Sequence, residues 1–103
     1  MDKKAVEKMY ADKKAYVEDT LGAMLKPFDN FGSIKYARDV VSGEEYIKVT
    51  EANGFPWYIC VTGNSESAIG KEVCRMVNED EPVGWVKTYS AQTHINKTMF
   101  GGV

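Results

Sequence analysis

The feature that most constrains this chain is an Asn-Gly pair between two segments of strand composition. Residues 44–50 read EEYIKVT and residues 55–62 read FPWYICVT, with Asn53-Gly54 between them. An Asn-Gly pair flanked by alternating apolar residues is a strong short-range signal for a β-hairpin. The sequence therefore predicts an antiparallel sheet built on this hairpin.

The register of the hairpin follows from the positions of its apolar residues. A two-residue turn would mix apolar and polar side chains on both faces of the sheet. A three-residue loop at residues 52–54 instead pairs Val49 with Trp57 and Ile47 with Ile59. We therefore predict the three-residue loop. The inner face of the sheet then carries Ile34, Tyr36, Ile47, Val49, Trp57, Ile59 and Val61.

A further strand is predicted before this hairpin, over residues 34–41, with Ser42-Gly43 as a two-residue turn. This turn would pair Tyr36 with Val49. The outer face of the sheet then carries Lys35, Ala37, Asp39, Tyr46, Lys48, Tyr58, Cys60 and Thr62. Because antiparallel sheets commonly leave one mixed face to water, we expect this outer face to be open to solvent.

One long helix is predicted over residues 3–25, with Asp2 as its N-cap and Pro27 ending it. Its apolar stripe consists of Val6, Tyr10, Val17, Leu21, Met24 and Phe28. Lys13 interrupts this stripe. We expect the helix to cover the core, and a dimerisation or partner-binding helix is the alternative.

A second helix is predicted from Asn64 or Ser65 to about Asn78. Its buried stripe consists of Ile69, Val73, Met76 and Val77. Gly70 would be tolerated where the helix backbone lies close to the sheet. Residues 83–89 have the composition of a fourth strand. In the tail at residues 90–103, Ile95, Met99 and Phe100 are candidate anchors.

These elements predict an α+β fold in one domain, residues 1–103. It has a long N-terminal helix, an antiparallel meander of three to four strands and a helix after the third strand. The order is α-β-β-β-α-β, and two layers are expected because both helices would cover the inner face of the sheet. The core would include Trp57, whose replacement by Ala would cost about 3–5 kcal/mol if it is buried.

Composition limits the compartment and the partners. The net charge is −2 and the pI is about 5.4, which argues against non-specific binding to nucleic acid or anionic membrane. We expect no transmembrane helix and no signal peptide, and a cytoplasmic location is the default. Cys60 and Cys74 should lie on opposite sides of the sheet as free thiols.

No residue set indicates catalysis or a bound metal. His94 is the only histidine, so a nucleophilic site would have to combine it with Cys60 or Cys74. The carboxylates are scattered, and residues 79–81 lack the ligand spacing of a calcium loop. We predict no enzyme, no cofactor and no metal site, and an enzyme built around His94 is the least favoured hypothesis.

The favoured function is binding of another protein, as in the accessory or inhibitory proteins of phages and mobile elements. A homodimer is possible. The alternative is nucleic-acid binding on the outer face through Lys35, Tyr46, Lys48 and Tyr58, because bases stack on aromatic residues of a sheet. The order helix, three strands, helix is similar to that of double-stranded-RNA-binding domains. That family has a lysine cluster where this chain has residues 65–67, Ser-Glu-Ser.

Overall fold

The computed structural model describes residues 2–80 and 99–100, and it has the predicted α+β fold. A long N-terminal helix is followed by a three-stranded antiparallel sheet in the order β1-β2-β3 and by a further helix. The elements are α1 (Lys3–Ala15), a π-helical segment (Tyr16–Leu21), α2 (Gly22–Leu25), β1 (Phe31–Arg38), β2 (Glu45–Glu51), β3 (Pro56–Cys60) and α3 (Glu66–Glu79). The predicted fourth strand at residues 83–89, His94 and Ile95 lie outside the described residues.

The N-terminal helix begins where the sequence predicts. The Ala5 backbone N–H donates a 2.9 Å hydrogen bond to the Asp2 carboxylate, which is the expected N-cap bond. Helical structure then continues through α1, the π-helical segment and α2 to Leu25, and it ends shortly before Pro27.

The buried side of this helix consists of Lys13, Val17, Leu21 and Leu25, four residues apart throughout. A step of four residues overshoots an α-helical turn of about 3.6 residues, so these positions would drift around a regular helix. The wider turn of the π-helical segment offsets that drift. The predicted apolar stripe is therefore wrong at Met24, which is exposed, and Leu25 takes the core position.

The β2–β3 hairpin has the predicted register. Val49 pairs with Trp57 and Ile47 pairs with Ile59. The loop at residues 52–54 is closed by a 2.8 Å hydrogen bond from the Glu51 N–H to the Phe55 carbonyl. Gly54 has a φ of +92°, the left-handed conformation that a bulged three-residue loop requires.

The β1–β2 connection differs from the prediction. β1 ends three residues earlier than expected, and Ile34 rather than Tyr36 pairs with Val49. The prediction of a two-residue Ser42-Gly43 turn is therefore wrong, and residues 39–44 form a longer loop. The register changes by two residues, and an even change leaves every side chain on its predicted face.

The core joins the inner face of the sheet to both helical regions. Ile69, Val73, Met76 and Val77 of α3 are buried as predicted, and the Ser65 hydroxyl caps α3 by accepting from the Ala68 N–H at 3.2 Å. The remaining buried members are Val17, Leu21, Leu25, Ile34, Tyr36, Ile47, Val49, Ile59 and Val61. Trp57 is only half-buried at the edge of this cluster.

Gly70 allows a close approach, but to the N-terminal helix and not to the sheet as predicted. A Cβ at Gly70 would collide with the Tyr16 hydroxyl oxygen and lie 3.5 Å from a methyl carbon of Leu21. The absence of a side chain at Gly70 therefore sets how closely α3 packs against the π-helical segment.

Candidate functional site

The predicted site residues Lys35, Tyr46, Lys48 and Tyr58 lie together on the outer face. Lys35 and Lys48 are directly opposed across β1 and β2, and Lys48 pairs with Tyr58 across β2 and β3. The Lys48 ammonium lies 5.6 Å from the centre of the Tyr58 ring, within cation–π range. The structure therefore brings these four residues together, and their binding role stays a prediction.

The expectation that this face is open to solvent is wrong for its two tyrosines. Tyr46 is 6% exposed and Tyr58 is 3% exposed. Met99 and Phe100 pack against them, and the Tyr58 and Phe100 ring centres are 6.0 Å apart. Burial raises the pKa of both phenols above the ordinary value. A base could stack on Tyr58 only if the side chains that cover its ring moved away.

The two cysteines lie on opposite faces of the sheet, as predicted. Cys60 packs with Tyr46 and Tyr58, whereas Cys74 packs against the main core. Both are free thiols. Within residues 2–80 and 99–100, no group of three or more His, Cys, Asp or Glu side chains could hold a metal ion.

A buried ion pair that the sequence reasoning missed joins α1 to β2. The Lys13 ammonium lies 2.6 Å from the Glu45 carboxylate, and both side chains are less than a tenth exposed. The same carboxylate accepts a 2.7 Å hydrogen bond from the Tyr36 hydroxyl and a 2.9 Å bond from the Gly63 N–H. A lysine four residues from Val17 in an otherwise apolar stripe is the signal that could have indicated it.

The pKa values of this network show how its charges are held. Burial acts to raise the pKa of Glu45, but the hydrogen bonds from Lys13, Gly63 and Tyr36 outweigh it and keep the pKa below its ordinary value of 4.5. Burial and the bond to Glu45 raise the pKa of Tyr36 far above the usual range. Glu45 is therefore a stable anion and Tyr36 a neutral donor.

A groove of about 580 Å³ between α1 and the start of α3 borders this network. Its lining includes Met9, Tyr10, Lys13, Glu45 and Ser65. Among the described residues, every buried side-chain nitrogen or oxygen has a hydrogen-bond partner. The ion pair therefore holds α1 to β2.

The β1–β2 loop at residues 39–44 is ordered by its own hydrogen bonds. One oxygen of the Asp39 carboxylate accepts from the N–H groups of Val41 at 2.8 Å and Ser42 at 3.3 Å. Backbone bonds of 2.8 Å run from the Asp39 N–H to the Glu44 carbonyl and from the Gly43 N–H to the Asp39 carbonyl. The bonds to its carboxylate lower the pKa of Asp39, so the loop is held by an anion at neutral pH.

This ordered loop presents two adjacent apolar side chains to water. Val40 is 78% exposed and Val41 is 93% exposed. The sequence placed both valines at the end of a strand, so their exposure was not predicted. The other exposed large apolar residues of the described chain are Met9, Met24 and Phe55.

No family model matches the chain, and comparisons with curated proteins and with solved structures give no match either. The order shared with double-stranded-RNA-binding domains therefore stays an analogy. In the part of the chain that the structure describes, no helix is long and apolar enough to cross a membrane.

Proposed function

We propose that this chain is a small non-enzymatic protein that binds another protein, with the β1–β2 loop at the centre of the contact. The observation that carries the proposal is the exposure of Val40 and Val41 on an ordered loop. Loop tips are normally polar, and two neighbouring apolar side chains in water favour association. Fully burying one valine is worth about 1.5–3 kcal/mol.

The order of the loop supports the same proposal. Binding by a flexible segment loses free energy to the ordering of that segment. Here the Asp39 carboxylate and the backbone bond from Gly43 already fix the loop before any partner arrives. The two valines are therefore presented in one geometry, which lowers the entropic cost of binding.

Nucleic-acid binding on the outer face has weaker support. Base stacking needs an accessible ring face, and Tyr46 and Tyr58 are both buried. Lys35 and Lys48 alone would supply few phosphate contacts. We therefore keep oligonucleotide binding as an outcome of the experiment and not as a second proposal.

The remaining expectations belong to this proposal. They are a cytoplasmic location, membership of the accessory or inhibitory proteins of phages and mobile elements, and a fourth strand with the helices as a second layer. The layered arrangement is supported by the core, which joins the inner face to α3 and the N-terminal helix.

The test compares the full chain with its Val40→Ser/Val41→Ser variant. Each protein is immobilised on a resin and incubated with extract from the source cell. A protein that the wild type retains is purified, and its binding to the wild type and to the variant is measured by calorimetry. We expect a 1:1 complex whose Kd rises at least about tenfold in the variant, since ~1.4 kcal/mol is a tenfold change. The matched control is Met9→Ser/Met24→Ser, which removes two exposed apolar side chains elsewhere.

The loop variant should have unchanged thermal unfolding because Val40 and Val41 are 78% and 93% exposed, whereas the control should lose a little stability because Met9 and Met24 lie in helices and are only 43% and 55% exposed. The proposal is wrong if the purified protein binds the wild type and the loop variant equally. It is also wrong if the full chain binds labelled oligonucleotides at low salt but retains no protein.

A further inference from the structure

We infer that the partner offers an apolar pocket surrounded by lysine or arginine side chains, and this inference rests on the proposed function. The β1–β2 loop has an apolar tip with acidic flanks. Val40 and Val41 form the tip, and Asp39 and Glu44 lie on either side of it in the chain. A complementary surface has the opposite arrangement, apolar at the centre and basic around it.

The acidic character of the flanks follows from where the neighbouring charges are held. Residues 38–45 contain one cation, Arg38, and its guanidinium carbon lies 3.9 Å from the centre of the Tyr10 ring. The Arg38 charge is therefore held against α1. Glu45 is buried with Lys13 and contributes little field outside. Asp39 and Glu44 are left as the charges at the two ends of the loop, the Asp39 carboxylate bonded to the loop N–H groups and the Glu44 carboxylate beside the Tyr46 hydroxyl.

The same charges argue against three other occupants of the loop. Anionic lipid headgroups and nucleic-acid phosphates would be repelled by two carboxylates beside the valines. A second copy of the chain docking loop to loop would bring Asp39 and Glu44 against their own equivalents. A different protein with a basic rim meets no such repulsion.

The hydrogen bonds of the loop backbone limit what the partner's pocket must supply. The loop is closed by the Asp39 and Glu44 backbone bond, so the valines project from a turn four residues wide. Hydrogen bonds to Asp39 and Ser42 already satisfy the N–H groups of Val41, Ser42 and Glu44. The partner therefore needs an apolar pocket for compact β-branched side chains and no array of backbone acceptors.

The test places the photocrosslinker p-benzoylphenylalanine at Val41 of the full chain in the source cell, with Lys71 on the exposed side of α3 as the control position. Crosslinked peptides are identified by mass spectrometry. We expect residue 41, and not residue 71, to crosslink a peptide of another protein that has apolar residues with Lys or Arg beside them.

The charge part of the inference is tested with the purified partner. Rising salt should slow association, because rim charges act mainly on the association rate. Glu44→Gln should weaken binding about two- to fivefold, which is the range of an exposed ion pair. It should also reduce the salt dependence of binding. Glu44→Lys should weaken binding further.

The outcomes separate this inference from the proposed function. Suppose that binding is lost in the Val40→Ser/Val41→Ser variant but is insensitive to salt and to Glu44→Lys. That result overturns the inference of a basic rim and leaves the proposed function standing. Crosslinking of residue 41 to a second copy of this chain, or binding to phosphatidylglycerol vesicles, also overturns it. If no protein crosslinks and none binds, the proposed function itself is wrong.

Discussion

A lysine at a core position is the residue that most needs an explanation. Moving a charge from water into the interior is expensive unless it is paired and its remaining hydrogen bonds are satisfied. Lys13 has Glu45 at 2.6 Å, and the carboxylate is also bonded by Tyr36 and Gly63. The pair therefore depends on both partners, and removal of one leaves a buried charge.

Replacement of Lys13 tests this dependence. Lys13→Met should cost about 3–5 kcal/mol in the free energy of unfolding, because Glu45 stays buried without its counter-charge. In Lys13→Met/Glu45→Gln the amide oxygen can accept from the Gly63 N–H while the amide N–H₂ donates to the Tyr36 hydroxyl oxygen, so we expect most of the loss to be recovered. Urea denaturation of the two single variants and the double variant gives the coupling energy. A coupling energy near zero would contradict a functioning buried pair.

The same pair predicts a pH dependence. The pKa of Glu45 is below 4.5 in the folded state, so its stabilising contribution is present above its unfolded pKa and is lost as pH falls through the folded pKa. Without Lys13, burial raises the pKa of Glu45, so the deficit of Lys13→Met relative to wild type should shrink progressively as pH falls from neutral into the acid range, since protonated Glu45 needs no counter-charge. Denaturation series at several pH values measure this, and a deficit that stays constant into acid would rule out the charge explanation.

At the scale of elements, sequence patterns predicted the face of the sheet on which a side chain lies better than they predicted the loops between strands. The β2–β3 register is right because apolar alternation and Gly54 select the same loop. The β1–β2 turn is wrong because the side chain of Asp39 bonds two following N–H groups and ends β1 early. Such a bond has no periodic signature. The π-helical segment is equally invisible to a regular stripe, which is why the predicted stripe includes Met24 and not Leu25.

The packing of α3 on the N-terminal helix gives a prediction at this scale. Gly70→Ala gains about 1 kcal/mol in helix propensity but drives a methyl group into the Tyr16 hydroxyl. Overpacking of this kind costs about 1–3 kcal/mol, so we expect net destabilisation. In a Tyr16→Phe background the hydroxyl is gone, and Gly70→Ala should then stabilise. Thermal unfolding of the wild type, the two single variants and the double variant tests whether the effect of Gly70→Ala on stability changes sign. Equal effects in both backgrounds would contradict the contact.

At the scale of the whole molecule, the sheet has two unlike faces and both bury aromatic side chains. Periodicity assigned each strand residue to its face, and the residues of β1, β2 and β3 in the two hydrophobic clusters lie on their predicted faces. It could not show that Tyr46 and Tyr58 are covered, because Met99 and Phe100 come from about forty residues further along the chain than Tyr58. Long-range packing of this kind has no local signal. The sequence therefore predicted that Lys35, Tyr46, Lys48 and Tyr58 share one face of the sheet, but not that the two tyrosines are covered.

Phe100 provides the test of this cover. Phe100→Ala should leave Tyr58 and Cys60 more accessible, because Phe100 packs against the cluster that contains both. Since Phe100 is only half-buried, the cost should be about 1–2 kcal/mol, less than the ~3–5 kcal/mol of a fully buried phenylalanine.

The measurement is the alkylation rate of each cysteine with iodoacetamide, followed by peptide mass spectrometry. The Cys60 rate should rise severalfold in Phe100→Ala, while the Cys74 rate should stay unchanged because Cys74 lies on the other side of the sheet. Phe55→Ala removes an exposed aromatic ring that lies outside this cluster and serves as the control. Equal acceleration of both cysteines would indicate general unfolding, and no acceleration would mean that Phe100 does not protect the outer face.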